Sequence, residues 1–117
     1  MLYEIIGTVV RGKQLGRTIG FPTANVQPDT QKDIPYGVYA GECLWDTEIK
    51  PCVVNIGRHP TVPEGAPTIE AHILDFHGDL YGQTITLRLN RFLRPERRFE
   101  SLDALREQLQ RDIEQVG

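Results

Sequence analysis

The residues best suited to chemistry lie between Gly12 and Asn25, where the chain reads Gly-Lys-Gln-Leu-Gly-Arg-Thr-Ile-Gly-Phe-Pro-Thr-Ala-Asn. Gly12, Gly16 and Gly20 stand with Lys13 and Arg17 among them. A loop of that composition can close its backbone amides around an anion with two cations nearby, or it can be a plain basic turn. Pro22 adds a sharper constraint, because it fixes its own φ and holds Phe21 extended, so the backbone ahead of Thr23 is stiff. If the chain continues extended, Thr23 and Asn25 point to the same side and offer a hydroxyl and an amide carbonyl together. Two neutral oxygens suit a magnesium ion that takes its other ligands from water and phosphate. The competing reading is an Asx or Ser/Thr turn that closes the loop.

A second candidate is Glu70, in the run Thr68-Ile69-Glu70-Ala71-His72-Ile73-Leu74. Alternation places Ile69, Ala71 and Ile73 on one face of a strand and Glu70 with His72 on the other. A carboxylate there is either solvated or faces a cleft as a general base. A third is the rigid basic stretch Leu93-Arg94-Pro95-Glu96-Arg97-Arg98-Phe99, which could stack a planar ring and grip its polar edge, or simply cap the fold with Phe99. Asp75 and Asp79 read as turn residues. His59, His72 and His77 share no metal-ligand spacing, and Cys43 with Cys52 form no CxxC or Cys/His pattern, so buried structural thiols are expected. The common phosphate-loop, dinucleotide, zinc-hydrolase and serine-hydrolase motifs are all missing from the sequence.

The elements that must position these residues are mostly strands. Leu2 to Val10, Gly37 to Trp45, Ile49 to Ile56, Thr68 to Leu74 and Gln83 to Phe92 are rich in β-branched and aromatic residues or alternate cleanly. The short Asp46-Thr47-Glu48 connection predicts a hairpin, and Pro51 is tolerable there at an edge. Gln27 to Tyr36 and Gly57 to Pro67 read as long loops, the usual seat of binding groups on a rigid scaffold. Only the C-terminus predicts a helix: Ser101 can cap it, and Leu102, Leu105, Leu109, Ile113 and Val116 paint one apolar stripe. Strands first and one helix last argue for an antiparallel sheet closed on itself, with the helix against it.

At 117 residues the chain is expected to be one domain, residues 1–117, burying roughly two-thirds of its unfolded surface without disulfide or metal staples. No apolar run approaches the roughly 20 residues that span a bilayer, and no export signal opens the chain, so a cytoplasmic protein without membrane contact is expected. A formal charge of −3 argues against a broad nucleic-acid face. The charge is uneven, however: Arg88, Arg91, Arg94, Arg97, Arg98, Arg106 and Arg111 cluster late in the chain, interleaved with Glu96, Glu100, Asp103 and Glu107. That segment is either a solvated face or a planar grip on phosphate or carboxylate.

Taken in order, these segments resemble the riboflavin kinase (flavokinase) family, which phosphorylates riboflavin to FMN. The residues carrying the resemblance are Gly7 to Gly12, Gly20-Phe21-Pro22-Thr23-Ala24-Asn25, Gly37-Val38-Tyr39 and Asn55-Ile56-Gly57. Glu70-Ala71-His72-Ile73, Asp79-Leu80-Tyr81-Gly82, Leu93-Arg94-Pro95-Glu96 and Phe99 through Leu102 continue it. The resemblance implies a mainly β fold, a six-stranded antiparallel Greek-key barrel with a C-terminal α-helix, acting on riboflavin with ATP and Mg2+; a monomer is expected. It further implies ATP contacts from Gly12, Arg17, Thr23, Asn25, Ile73 and Tyr81, with Thr23 and Asn25 also holding the metal. Glu70 is implied as the catalytic base, and Arg94, Arg97 and Phe99 as flavin contacts.

Many bacterial members of that family carry the kinase module behind an FMN adenylyltransferase domain. The sequence leaves open a stand-alone kinase or a piece of such a bifunctional protein, and whether ATP or CTP is the donor. Two other readings compete: a single-strand nucleic-acid binder of the OB type, which the dispersed aromatics and negative charge disfavour, and a flavin carrier without catalysis, which the Thr23, Asn25 and Glu70 set disfavours.

Overall fold

A computed structural model describes residues 2–10, 23–30, 33–57, 68–76, 78–96 and 100–116. The described residues form six strands: β1 (Tyr3–Val10), β2 (Ala24–Pro28), β3 (Gly37–Trp45), β4 (Glu48–Gly57), β5 (Thr68–Ile73) and β6 (Thr84–Arg94). They close into an antiparallel barrel in the order β1, β2, β5, β4, β3, β6, with β6 returning to β1. The helix α1 (Leu102–Val116) packs outside, against β4 and β3. This is the fold class expected from the sequence.

Alternation explains which side of each strand is buried. Ile69, Ala71 and Ile73 on β5, Cys52, Val54 and Ile56 on β4, and Ile85, Leu87 and Leu89 on β6 all belong to the interior cluster. Their neighbours Thr84, Arg88 and Asn90 are exposed, so β6 is wet on one face as its pattern requires. Aromatic pairs fill the two ends of the barrel. Tyr39, 1% exposed, meets Tyr3 and Phe92 edge-on at one end and donates its hydroxyl to the Pro35 carbonyl at 2.6 Å. At the other end Trp45 meets Phe76 edge-on at 5.2 Å. Val38, Ala40 and Val53 are buried too, although they stand outside the interior cluster. They belong to the outer face of β3 and β4, the two strands that α1 packs against.

Four local features sharpen or correct the expectations. The segment Ala24–Pro28, whose last two residues were expected to begin a loop, is a strand. Its five residues are too few and too polar to show a period, and pairing with β1 and β5 decides it. Pro51 does not lie on a sheet edge, since the barrel is closed. It sits where β4 reaches the end of β5, with Glu42 opposite and its carbonyl accepting from the Leu74 amide at 2.9 Å. The β3–β4 hairpin turns through Asp46, whose φ of 48° is one that Asp tolerates better than most residues. Between Ala40 and Gly41 the β3–β6 register shifts, and a Cβ at Gly41 would collide with the Arg88 carbonyl, which is why this position takes glycine.

Ser101 caps α1 as expected: its hydroxyl accepts from the Ala104 amide at 3.1 Å. Asp75, with φ of 53°, and Asp79, whose carboxylate accepts from the Tyr81 amide at 2.8 Å, are turn residues. Cys43 and Cys52 are free and fully buried. Burial pushes the Cys43 thiol up to about 12, and the Cys52 thiol rises too, through burial first and then the neighbouring Cys43 and Glu42. Little thiolate therefore exists at pH 8. Iodoacetamide at that pH is expected to leave both thiols intact in the folded chain and to alkylate both in denaturant, as mass spectrometry would read. Rapid alkylation without denaturant would contradict the packing.

Candidate active site

The outer face of β2, β5 and β4 carries the polar residues that the interior cannot hold. Ala24 packs against the core and Val26 lies in it, so Asn25 between them points outward, and alternation places Thr23 on the same side. On β5 the buried Ile69, Ala71 and Ile73 leave Glu70 and His72 outward. The register then brings separate segments together: Asn25 is the cross-strand partner of Glu70, and Glu70 is in turn the partner of Asn55 on β4. Directly opposed residues have Cβ atoms about 4.5–5.5 Å apart. Asn25, Glu70 and Asn55 therefore form one continuous row, a carboxylate between two amides.

The row continues through Val38 on β3 to Arg94 at the end of β6. Arg94 is engaged by α1: Nε donates to Asp112 Oδ1 at 3.0 Å and Nη2 to Oδ2 at 2.8 Å, while Nη1 reaches the Pro95 carbonyl at 3.3 Å. Asp112 is 0% exposed and also accepts from Gln108 at 3.0 Å. Arg91 donates to the Gln115 carbonyl, so two arginines of β6 hold the C-terminal half of α1. Just beyond, a Cβ at Gly57 would coincide with the Glu96 carboxylate, which lies directly on that backbone. Thr68 donates to the Gly57 carbonyl at 3.1 Å and ties the start of β5 to the end of β4.

The residues expected from the sequence thus have different standing. Asn25 and Glu70 come together across β2 and β5, and Thr23 stands two residues before Asn25, just ahead of β2. Ile73 is 7% exposed within the core cluster, whereas Tyr81 is 51% exposed on the β5–β6 connection. Gly12, Arg17, Arg97 and Phe99 lie outside the described residues. Asn55, Glu96 and Asp112 were not singled out as site residues. For Asn55 the available signal was one polar side chain in the otherwise apolar run Cys52-Val53-Val54-Asn55-Ile56.

A magnesium ion is compatible with this donor set. Among the described residues no three or more His, Cys, Asp or Glu side chains gather as a cage. What is offered is hard oxygen in small number, the Thr23 hydroxyl and the Asn25 amide carbonyl beside Glu70, which suits an ion that keeps water and phosphate ligands.

The family model for riboflavin kinase (flavokinase) matches residues 1–117. The chain belongs to the riboflavin kinase family. A curated member, the bifunctional riboflavin kinase/FMN adenylyltransferase of Escherichia coli (strain K12), is 49% identical over 94% of this chain and 36% of its own length. This flavokinase chain thus spans about a third of that relative. Among solved structures, riboflavin kinase from Trypanosoma brucei superposes with a TM-score of 0.66 at 26% identity, covering 97% of this chain and 76% of its own. A Streptococcus pneumoniae structure described as a macrolide-efflux protein superposes with a TM-score of 0.88 at 32% identity, covering 97% of this chain and 38% of that one. Likeness of fold alone does not carry function. Among the described residues no helix is long and apolar enough to cross a membrane.

Proposed function

We propose that this barrel transfers the γ-phosphoryl group of ATP to the terminal ribityl hydroxyl of riboflavin, giving FMN and ADP. The observation that carries the proposal is the register that sets Asn25 directly opposite Glu70, because it joins an oxygen-ligand segment to a carboxylate able to act as a base. Phosphoryl transfer needs little covalent work from a protein; it needs the nucleophile, the phosphate and the charges held in line. Glu70 takes the proton of the ribityl hydroxyl at a carboxylate oxygen and orients that hydroxyl toward the phosphate. Thr23 and Asn25 would hold magnesium, which when bound neutralises charge on the phosphate oxygens.

The remaining assignments follow the family resemblance. Gly12 and Arg17 contact the ATP phosphates, and Ile73 and Tyr81 stand on the adenine side. Arg94, Arg97 and Phe99 serve the flavin; since Asp112 already engages the Arg94 guanidinium, its part is to hold Pro95 and Glu96 in place. We take the working form to be a cytoplasmic monomer with no nucleic-acid or membrane partner. The barrel acts either alone or joined to an FMN adenylyltransferase domain of the kind named in its relatives.

The direct test is incubation with riboflavin, ATP and magnesium, with CTP in parallel, followed by chromatography for FMN. Flavin bound but left unphosphorylated would favour the carrier reading instead. Thr23→Ala is expected to raise the magnesium-ATP requirement by about tenfold, the scale on which disturbing a metal's surroundings reduces affinity. A magnesium titration checks this, and an unchanged midpoint would place the ligand pair elsewhere.

A further inference from the structure

Asn55 is the odd residue of its neighbourhood. Its strand neighbours Val54 and Ile56 are buried in the core, and Val53 and Val38, which share its outer face, are 4% and 3% exposed. A valine would suit the site. Instead the chain places an amide there, and its Oδ1 is buried without a hydrogen-bond partner among the described residues. Such an orphaned acceptor is rare in folded proteins and carries a desolvation penalty that a valine would avoid. The side chains beside it in the row do not supply a donor: Val38 has none, and Glu70 when ionised only accepts.

The position of the orphan suggests what satisfies it. Asn55 is the cross-strand partner of Glu70, so a molecule whose hydroxyl reaches Glu70 arrives next to the Asn55 acceptor. A polyol carries a second hydroxyl on the carbon adjacent to the reacting one. We propose that Asn55 is a specificity-determining residue, whose Oδ1 accepts a hydrogen bond from the hydroxyl next to the one that is phosphorylated. Oδ1 is closed to solvent in the ligand-free chain, so the contact forms as the side chains beside it give way to the polyol. This deepens the proposed function and rests on it. A site with a buried acceptor rejects an analogue lacking the matching hydroxyl, because the acceptor then stays unpaired.

The experiment compares Asn55→Val with the wild-type chain on riboflavin and on 4′-deoxyriboflavin, together with the melting temperature of each ligand-free protein. Loss of one hydrogen bond is expected to lower kcat/KM for riboflavin by about tenfold, and for the deoxy analogue by less than about twofold, so that the variant no longer distinguishes the two. The melting temperature is expected to stay level or rise, since the orphan is removed. Asn55→Ser, which keeps an acceptor oxygen, is expected to retain discrimination between the substrates. Equal loss on both substrates, no loss on either, or failure of both variants to fold would overturn the inference. If the wild-type chain leaves riboflavin unphosphorylated, the functional reading fails and this inference with it. If it phosphorylates riboflavin and Asn55→Val matches it, only this inference fails.

Discussion

Glu70→Gln is expected to lower FMN formation by about a hundredfold or more while riboflavin still binds. Glutamine has nearly the same shape and stays opposite Asn25 and Asn55 in the row, so strand pairing is unaffected. What is lost is a carboxylate oxygen able to take the proton from the ribityl hydroxyl, and positioned bases contribute about 10²- to 10⁴-fold to such steps. A hundredfold corresponds to about 2.7 kcal/mol of barrier. Steady-state turnover with magnesium and ATP reads the loss, and quenching of flavin fluorescence reads binding. Turnover near that of the wild-type chain would remove Glu70 from the role of base. Loss of binding and turnover together would make it a binding residue.

The largest expected effect on stability lies away from the reacting groups. Asp112→Ala should destabilise the fold by about 3–5 kcal/mol, the range for breaking a buried ion pair from one side. The Asp112 side chain is 0% exposed and that of Arg94 16%, so removing the carboxylate takes a bidentate counter-charge from a guanidinium with little access to water. Gln108 loses its acceptor as well. For a chain of this size the melting temperature should fall by on the order of 10 °C or more. Urea unfolding monitored by circular dichroism gives the free energy directly. The double variant Arg94→Leu with Asp112→Leu should recover much of the loss, because it removes both buried charges. A double variant no more stable than Asp112→Ala would mean that loss of the pair itself, and not the buried positive charge left behind, accounts for the effect.

Glu70 and Asp112 stand at opposite ends of what the residues alone reveal. Glu70 was legible because alternation is local: Ile69, Ala71 and Ile73 must face inward, and the glutamate between them must not. The same holds for Ile85, Leu87 and Leu89 on β6 and for Ser101 at the start of α1. Asp112 was not legible. It sits at the i+3 position from Leu109 and beside Ile113, and nothing in the helical period distinguishes a buried carboxylate from a solvated one. Only the arrival of Arg94, 18 residues earlier in the chain, makes its burial tolerable. The arginine-rich segment after Arg88 likewise reads as one charged block, yet its members part ways. Arg88 meets Glu4 at 3.5 Å near the surface, whereas Arg91 and Arg94 fasten α1 to the barrel.

What the residues determined by themselves is the set of strands with a clear period, the capped C-terminal helix, the side of its strand that Glu70 takes opposite Ile69, Ala71 and Ile73, and, through motif order, the family. These depend on interactions within a few residues, where side-chain alternation and capping leave few alternatives. The tertiary structure decided the short strand Ala24–Pro28, the register that lines up Asn25, Glu70 and Asn55, the orphaned Asn55 acceptor and the burial of Asp112. Each of these is a relation between segments far apart in the chain, and a shift of one residue in register would turn every side chain of a strand to its other face. Closure of the barrel selects the register that buries all the apolar faces at once, and the polar row on the outside follows from it.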